Sequence, residues 1–215
     1  MKMPLSILAT ILFLTSCMQD AYEKGEGQYS HMQAEMVMAH ADNDKYVDYV
    51  ITDEGERLVV STPFTSSWMT TADSTYRGIL YFNKGDKVAE PIGFNKVTVL
   101  RPKQWKDVKT DPTKLETCWV STNKEFLNLG VRLMVGSTTD TEAKHLVGAH
   151  MIDKKTNIDG TKTMRLQFYH DQNGVPEYYS LRTYFSIPLT ELAVDSVRIY
   201  INTYDGITDK VFCCK

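Results

Sequence analysis

The stretch FLNLGVRLMV, residues 126–135, decides the fold class because every odd-numbered side chain from Leu127 to Val135 is apolar. Asn128, Arg132 and Met134 fall on the opposite face. Successive residues of a strand point to opposite sides of a sheet, so this period of two predicts a long, half-buried β-strand.

The rest of the C-terminal half repeats this pattern between turn sequences such as Asn157-Ile158-Asp159-Gly160 and Asp171-Gln172-Asn173-Gly174. Strands are predicted at 117–121, 127–135, 146–152, 164–168, 181–187, 197–202 and 208–213. Short strands with regular turns close by pairing into two packed sheets. We therefore expect an antiparallel β-sandwich over residues 102–215. It begins in the aperiodic, charged segment 101–116, which contains Pro102 and Pro112.

The N-terminal half also alternates, with strands predicted at 32–38, 46–51, 58–60 and 76–82 and a fifth that begins at Val88 or Phe94 and ends at Leu100. Methionine and alanine in the first of these also favour a helix, but the segments that follow it read clearly as strands. Three strands, a long connection and two strands is the order of a five-stranded OB-like barrel, here expected over residues 29–101. The connection, residues 62–75, is rich in Ser, Thr and Pro, so a loop is expected where such barrels carry a helix.

The N-terminus has the features of an export signal. Lys2 precedes an apolar run from Leu5 to Leu14, too short to span a membrane, and the run leads into Leu14-Thr15-Ser16-Cys17. This box is similar to the bacterial lipoprotein signal, which predicts that residues 1–17 form the signal and that Cys17 is lipidated. An uncleaved N-terminal anchor is the alternative. Residues 18–28 are polar and predict a flexible tether. Because of the lipoprotein signal, we expect the body outside the cytoplasm, anchored at the outer membrane and facing the periplasm or the cell surface.

Composition argues against nucleic acid as a partner. The 215 residues carry a formal net charge of -3, so no global positive field would attract a polyanion. A hydrophobic content of 42% and a charged content of 24% are typical of a globular body.

Three cysteines follow Cys17. Cys118 could form a disulfide with one of the two C-terminal cysteines, Cys213 or Cys214, in an oxidising compartment, or the thiols could be small buried hydrophobic groups. Cys213 and Cys214 are adjacent on a predicted strand, so both cannot face the core.

No zinc-protease, nucleophile-elbow, phosphate-loop or paired CxxC motif occurs in the sequence, and we expect no catalytic residue, metal or cofactor. His170 could be a general base oriented by Asp171, but a core-edge histidine bonded to the backbone is favoured. His145 and His150 should face opposite ways on a strand. The oxygen-rich Asp42-Asn43-Asp44 suggests a calcium loop, but a solvated turn is favoured.

Two groups of side chains could bind a ligand. Arg101, Lys103 and Lys106 surround Trp105, and this set could hold an acidic glycan, a lipopolysaccharide head group or an anionic protein by charge and stacking. The alternative is that Trp105 packs between the two domains. Trp68, Tyr76 and Tyr81 form a second candidate set, on the barrel.

The whole chain resembles the NigD-like lipoproteins of Bacteroidota, through Cys17 and residues 126–131, 165–174 and 184–187. The resemblance implies an OB-like domain followed by a sandwich, and no established enzyme activity. We expect a non-enzymatic, membrane-anchored accessory protein that binds a glycan or protein partner at the cell envelope. A bacteriocin immunity or inhibitor protein, and a hydrolase using His170 and Asp171, are the alternatives.

Overall fold

The computed structural model describes residue 27 and residues 29–140 and 142–215, so the predicted lipidation site at Cys17 lies outside the described residues. Every regular element in this part of the chain is a β-strand. The strands are β1 (Met32–Ala41), β2 (Val47–Thr52), β3 (Arg57–Phe64), β4 (Ser74–Lys84), β5 (Val88–Lys96), β6 (Thr98–Val99), β7 (Lys114–Val120), β8 (Phe126–Val135), β9 (Leu146–Thr156), β10 (Lys162–Asp171), β11 (Tyr179–Pro188), β12 (Ser196–Thr203) and β13 (Gly206–Cys213). No helix in the described ranges has the length and apolarity to cross a membrane.

The first five strands form a closed barrel in the order β1-β2-β3-β5-β4. β3 and β5 run parallel and the other neighbours antiparallel, which is the predicted OB-like arrangement. The long connection between β3 and β4 carries no helix. Alternating side chains such as Val37, Leu80 and Phe82 fill the barrel and are fully buried.

The remaining strands form two four-stranded sheets, β13-β12-β10-β9 and β6-β11-β8-β7, which we call the distal and proximal sheets. Leu127, Leu129, Val131 and Leu133 of β8 point into the core between them, as the period of two predicts. The all-β, barrel-plus-sandwich prediction is therefore confirmed. It was wrong in one detail, because β10 pairs with β12, and β6 with β11, in parallel.

The chain enters the sandwich before residue 102. β6 already pairs with β11, and Leu100 lies in the sandwich core. Very few residues therefore separate the last barrel strand from the first sandwich strand, so the two domains are closely joined.

Candidate functional site

A buried polar cluster joins the barrel to the outer face of the proximal sheet. Arg77 of β4 forms an ion pair with Asp53, which follows β2, with Nη1 2.6 Å from Oδ1. Arg77 Nη2 also donates to Asp53 Oδ2 at 2.8 Å and to Asn128 Oδ1 at 3.1 Å, and its Nε donates to Ser186 Oγ at 3.1 Å. Barrel and sandwich thus share one guanidinium group.

The register of the proximal sheet places two polar side chains, Asn128 and Ser186, side by side within reach of Arg77. Asn128 and Ser186 face each other across β8 and β11, and the Ser186 hydroxyl donates to Asn128 Oδ1 at 2.7 Å. Asn128 Nδ2 in turn donates to Asp53 Oδ2 at 2.8 Å. Arg77 also lies over the ring of Phe126, 4.1 Å from its centroid. This cluster fixes the orientation of the barrel relative to the sandwich, because the N–H groups of a guanidinium donate in only a few fixed directions.

A groove of about 540 Å³ opens beside this cluster, between the barrel and the sandwich. Both domains line it, and two of the sequence-predicted candidate sets meet there: Trp68 and Tyr76 from the barrel and Arg101 from the boundary segment. The other polar side chains of the lining are those of Thr75, Lys96, Thr98, Thr190 and Glu191, together with the buried Arg77.

The aromatic wall of the groove is held by packing. Trp68 stacks on Phe94 with ring centroids 5.4 Å apart and meets the edge of Tyr76 at 5.5 Å. The Tyr76 hydroxyl accepts from Thr71 N–H at 2.7 Å and donates to Thr71 O at 2.9 Å, which fixes the loop that carries Trp68. Gly78 allows this packing, because a Cβ there would lie 2.2 Å from the Phe94 ring.

Charged side chains also line the groove. Lys96 Nζ lies 5.7 Å from the centroid of the Trp68 ring, and Arg101 pairs with Glu191 at 3.3 Å. Both members of that ion pair are largely exposed, at 69% and 48% of their side chains, so the pair is weak. The groove therefore offers two solvated cations beside a supported indole ring.

Trp105 lies elsewhere, and the interpretation that it packs between the domains was wrong. Residues after Leu100 run along the free edge of β9 and then cross the outer face of the distal sheet, which is turned away from the barrel. Trp105 stacks on Tyr169 there at 4.1 Å, over Gly148, with Lys103 Nζ 4.0 Å from its centroid.

The structure separates the members of each predicted candidate set. Lys103 pairs with the edge of the distal sheet and Lys106 follows it three residues later, whereas Arg101 stays in the groove. Tyr81 is five residues from Tyr76 on β4, so it points to the other side of the barrel wall and does not line the groove.

His170 does not form the proposed acid–base pair with Asp171. Its side chain is buried, its Nδ1 lies 2.9 Å from the carbonyl oxygen of Asp111, and its Nε2 lies 3.0 Å from His145 Nδ1. Because Nδ1 faces a carbonyl oxygen it donates there, which leaves Nε2 to accept from His145 Nδ1. Burial, followed by the neighbouring His170, lowers the pKa of His145.

Cys118, Cys213 and Cys214 are free thiols in the structure, so the possible Cys118–Cys213 disulfide is not formed there. Cys118 and Cys214 pack against the sandwich core, whereas Cys213 is exposed, in agreement with the predicted opposite orientation of the adjacent pair. Burial raises the pKa of Cys118 to about 12, so this thiol behaves as a small apolar side chain.

The segment Asp42-Asn43-Asp44 forms a turn in which Asp42 Oδ1 accepts from the backbone N–H groups of Asp44 and Tyr46, each at 2.9 Å. In the described ranges no three His, Cys, Asp or Glu side chains are grouped to hold a metal ion. The sequence interpretation missed His40, which lies between Asp48 and Asp73 at 2.8 and 3.3 Å. Hydrogen bonding to Asp48 raises its pKa.

Comparisons with solved structures place this architecture among proteins of Bacteroides and Parabacteroides. A NigD-like immunity protein from Bacteroides caccae is 22% identical with a TM-score of 0.63, covering 83% of this chain and 91% of its own. A protein provisionally named as toxin-related, from Parabacteroides distasonis, is 14% identical with a TM-score of 0.61, over 84% and 92% of the two chains. A protein provisionally named as a lipoprotein, from Bacteroides fragilis, is 14% identical with a TM-score of 0.58, over 84% and 96%.

No curated protein matches the chain. The family model of the NigD-like C-terminal beta sandwich domain matches residues 96–213, which is more than half of the sequence and begins where the structure leaves the barrel. The chain therefore belongs to the NigD-like family.

Proposed function

We propose that this protein is a non-enzymatic lipoprotein of the cell envelope that binds a glycan or protein partner in the groove between its barrel and its sandwich. The groove carries this proposal, because it joins side chains from both domains beside a cluster that fixes their orientation. Ligand sites commonly lie where two domains meet, lined by apolar surface with a few directed polar groups.

Anchoring at the membrane rests on the Leu14-Thr15-Ser16-Cys17 box, and the similar Bacteroides fragilis protein, provisionally named a lipoprotein, agrees with it. Wild-type protein should fractionate with outer membranes and incorporate labelled palmitate, whereas Cys17→Ala should do neither. Retention of the label by the variant would refute lipidation at this residue.

A binding role without catalysis is supported by the surroundings of His170. Both of its ring nitrogens are engaged, by Asp111 and His145, and the side chain is buried among apolar neighbours such as Phe168. A general base needs an accessible nitrogen within reach of the proton that it removes.

The binding proposal is tested by photo-crosslinking in living cells with the full-length, anchored protein. A crosslinking amino acid at Thr190, which is exposed in the groove, should give a defined adduct with an envelope glycan or protein. The matched control is Ile158, which is fully exposed in the turn after β9 and does not line the groove. No adduct from Thr190, or the same adduct from both positions, would contradict the proposal.

Immunity or inhibition of a toxin is the second candidate function. One structural neighbour, 22% identical, is named an immunity protein, and this name motivates the candidate. Cells that lack the protein should then become sensitive to a bacteriocin of a neighbouring strain, and unchanged sensitivity to a panel of such strains would count against it.

A further inference from the structure

We propose that the groove between the barrel and the sandwich binds an acidic saccharide, meaning a sugar ring that carries a carboxylate, sulfate or phosphate group. This inference names the ligand class and rests on the function proposed above. Three features of the lining lead to it: an indole platform, a pair of solvated cations, and a set of hydroxyl groups.

The platform is Trp68. Its ring is half-buried, stacked on Phe94 and braced by the edge of Tyr76, so it is held in place without being covered completely. Aromatic rings supported in this way present a rigid apolar face with a polar edge, at low conformational cost on binding. The C–H face of a pyranose ring is complementary to such a surface.

The cations are Lys96, which precedes the short strand β6 in the chain, and Arg101, which follows it. The ammonium of Lys96 lies 5.7 Å from the Trp68 ring, so an anionic substituent on a sugar that packs near Trp68 would lie within reach of it. Arg101 pairs with Glu191 at the surface, and an exposed pair of this kind is readily exchanged for a ligand anion.

The hydroxyl groups come from Thr75, Thr98 and Thr190, which are exposed around the groove, and Glu191 supplies an acceptor for sugar hydroxyls. Arg77 does not take part directly, because its side chain is only 1% exposed and its donors point to Asp53, Asn128 and Ser186. Hydroxyl and carboxylate partners beside an aromatic ring favour a saccharide over a purely acidic peptide, which would need neither the ring nor Glu191.

The chain supplies its own control. Trp105 and Lys103 form a second cation–aromatic pair, with Lys106 nearby in sequence, on the distal sheet and away from the groove. The double variant Lys96→Gln/Arg101→Gln and the double variant Lys103→Gln/Lys106→Gln remove the same charge from exposed positions. They therefore change the net charge equally and differ only in place.

The experiment is calorimetric titration of the full-length protein in detergent with four probes: oligogalacturonate, a chondroitin sulfate oligosaccharide, neutral galactan oligosaccharide and polyaspartate. We expect both acidic saccharides to bind, and salt to weaken them. The groove double variant should weaken binding about tenfold and Trp68→Ala about fivefold. The distal double variant should bind as the wild type does. Oligogalacturonate carries carboxylates alone, whereas chondroitin sulfate carries both carboxylates and sulfates, so much tighter binding of chondroitin sulfate would indicate recognition of the sulfate.

Several results would overturn the inference. Equal binding of polyaspartate would show a charge-only site, and an equal loss in both double variants would show a long-range field. Binding of neutral galactan in a Trp68-dependent way, without binding of the acidic probes, would refute the acidic class and leave the proposed function standing. If none of the probes binds and Thr190 gives no adduct in cells, both proposals fail.

Discussion

Replacing Arg77 with alanine should destabilise the protein by about 3 kcal/mol, near the lower end of what is found when one partner of a buried ion pair is removed. The variant leaves Asp53 without its cation and leaves Asn128 Oδ1 and Ser186 Oγ with one donor fewer. The cost falls short of the upper end because Asp53 is 16% exposed, so water can solvate part of its carboxylate.

Urea unfolding followed by tryptophan fluorescence measures this cost. Since Arg77 joins the domains, its loss should also separate one cooperative transition into two, because the barrel and the sandwich would then unfold independently. The matched control is Arg198→Ala, which breaks a more exposed pair with Asp209 and should cost much less stability, because water screens an exposed pair. An Arg77→Ala variant no less stable than Arg198→Ala would refute the reasoning.

Three other perturbations test the sandwich. Burial lowers the pKa of His145, so the native state binds a proton less readily than the unfolded chain does. Stability measured by urea titration should therefore fall as the pH drops below about 6.5. In His145→Gln this part of the pH dependence should disappear. A maleimide at pH 7 should label Cys213 and leave Cys118 unlabelled until the protein unfolds, as mass spectrometry would show, because burial raises the pKa of Cys118 to about 12. Gly148→Ala should lower stability by about 1–3 kcal/mol, because the added Cβ would lie 2.6 Å from the Trp105 ring. The near-ultraviolet circular dichroism should change as well. An unchanged spectrum would show that the ring is free to move aside.

The period of two in the sequence was enough to predict both domains. Residues such as Leu127 and Leu129 are fully buried where the alternation places them, and the order of the N-terminal strands matches the observed barrel. The parallel pairing of β10 with β12 could not be predicted, because the turn sequences describe only connections between consecutive strands.

The candidate site was harder to predict, because it depends on which outer faces are covered. Asn128 and Ser186 read as ordinary solvent-facing residues of strands and are buried only because the barrel rests on them. The displacement of Trp105 to the distal sheet follows from the path of the linker, which short-range patterns do not encode. Strand parity could have separated Tyr81 from Tyr76, since five residues apart on one strand means opposite faces.

An ion pair at the domain joint is expected to determine orientation more than stability. Desolvation offsets much of the attraction within a buried pair, so replacing both partners with apolar residues of similar size is often neutral or stabilising. In Arg77→Met/Asp53→Leu the free energy of unfolding should therefore fall less than in Arg77→Ala. A cost remains, because the buried Asn128 Nδ2 loses its acceptor. The directional bonds from Arg77 to Asn128 and Ser186 would be absent, however, and apolar contacts tolerate a range of domain angles.

That double variant should therefore be more stable than Arg77→Ala and still lose affinity for the acidic saccharides, although Arg77 is only 1% exposed and Asp53 does not line the groove. Urea unfolding and calorimetric titration of the same preparation measure the two quantities. Unchanged affinity in the double variant would show that the groove keeps its shape without the ion pair, and that packing around Phe126 and β6 alone fixes the angle between the domains.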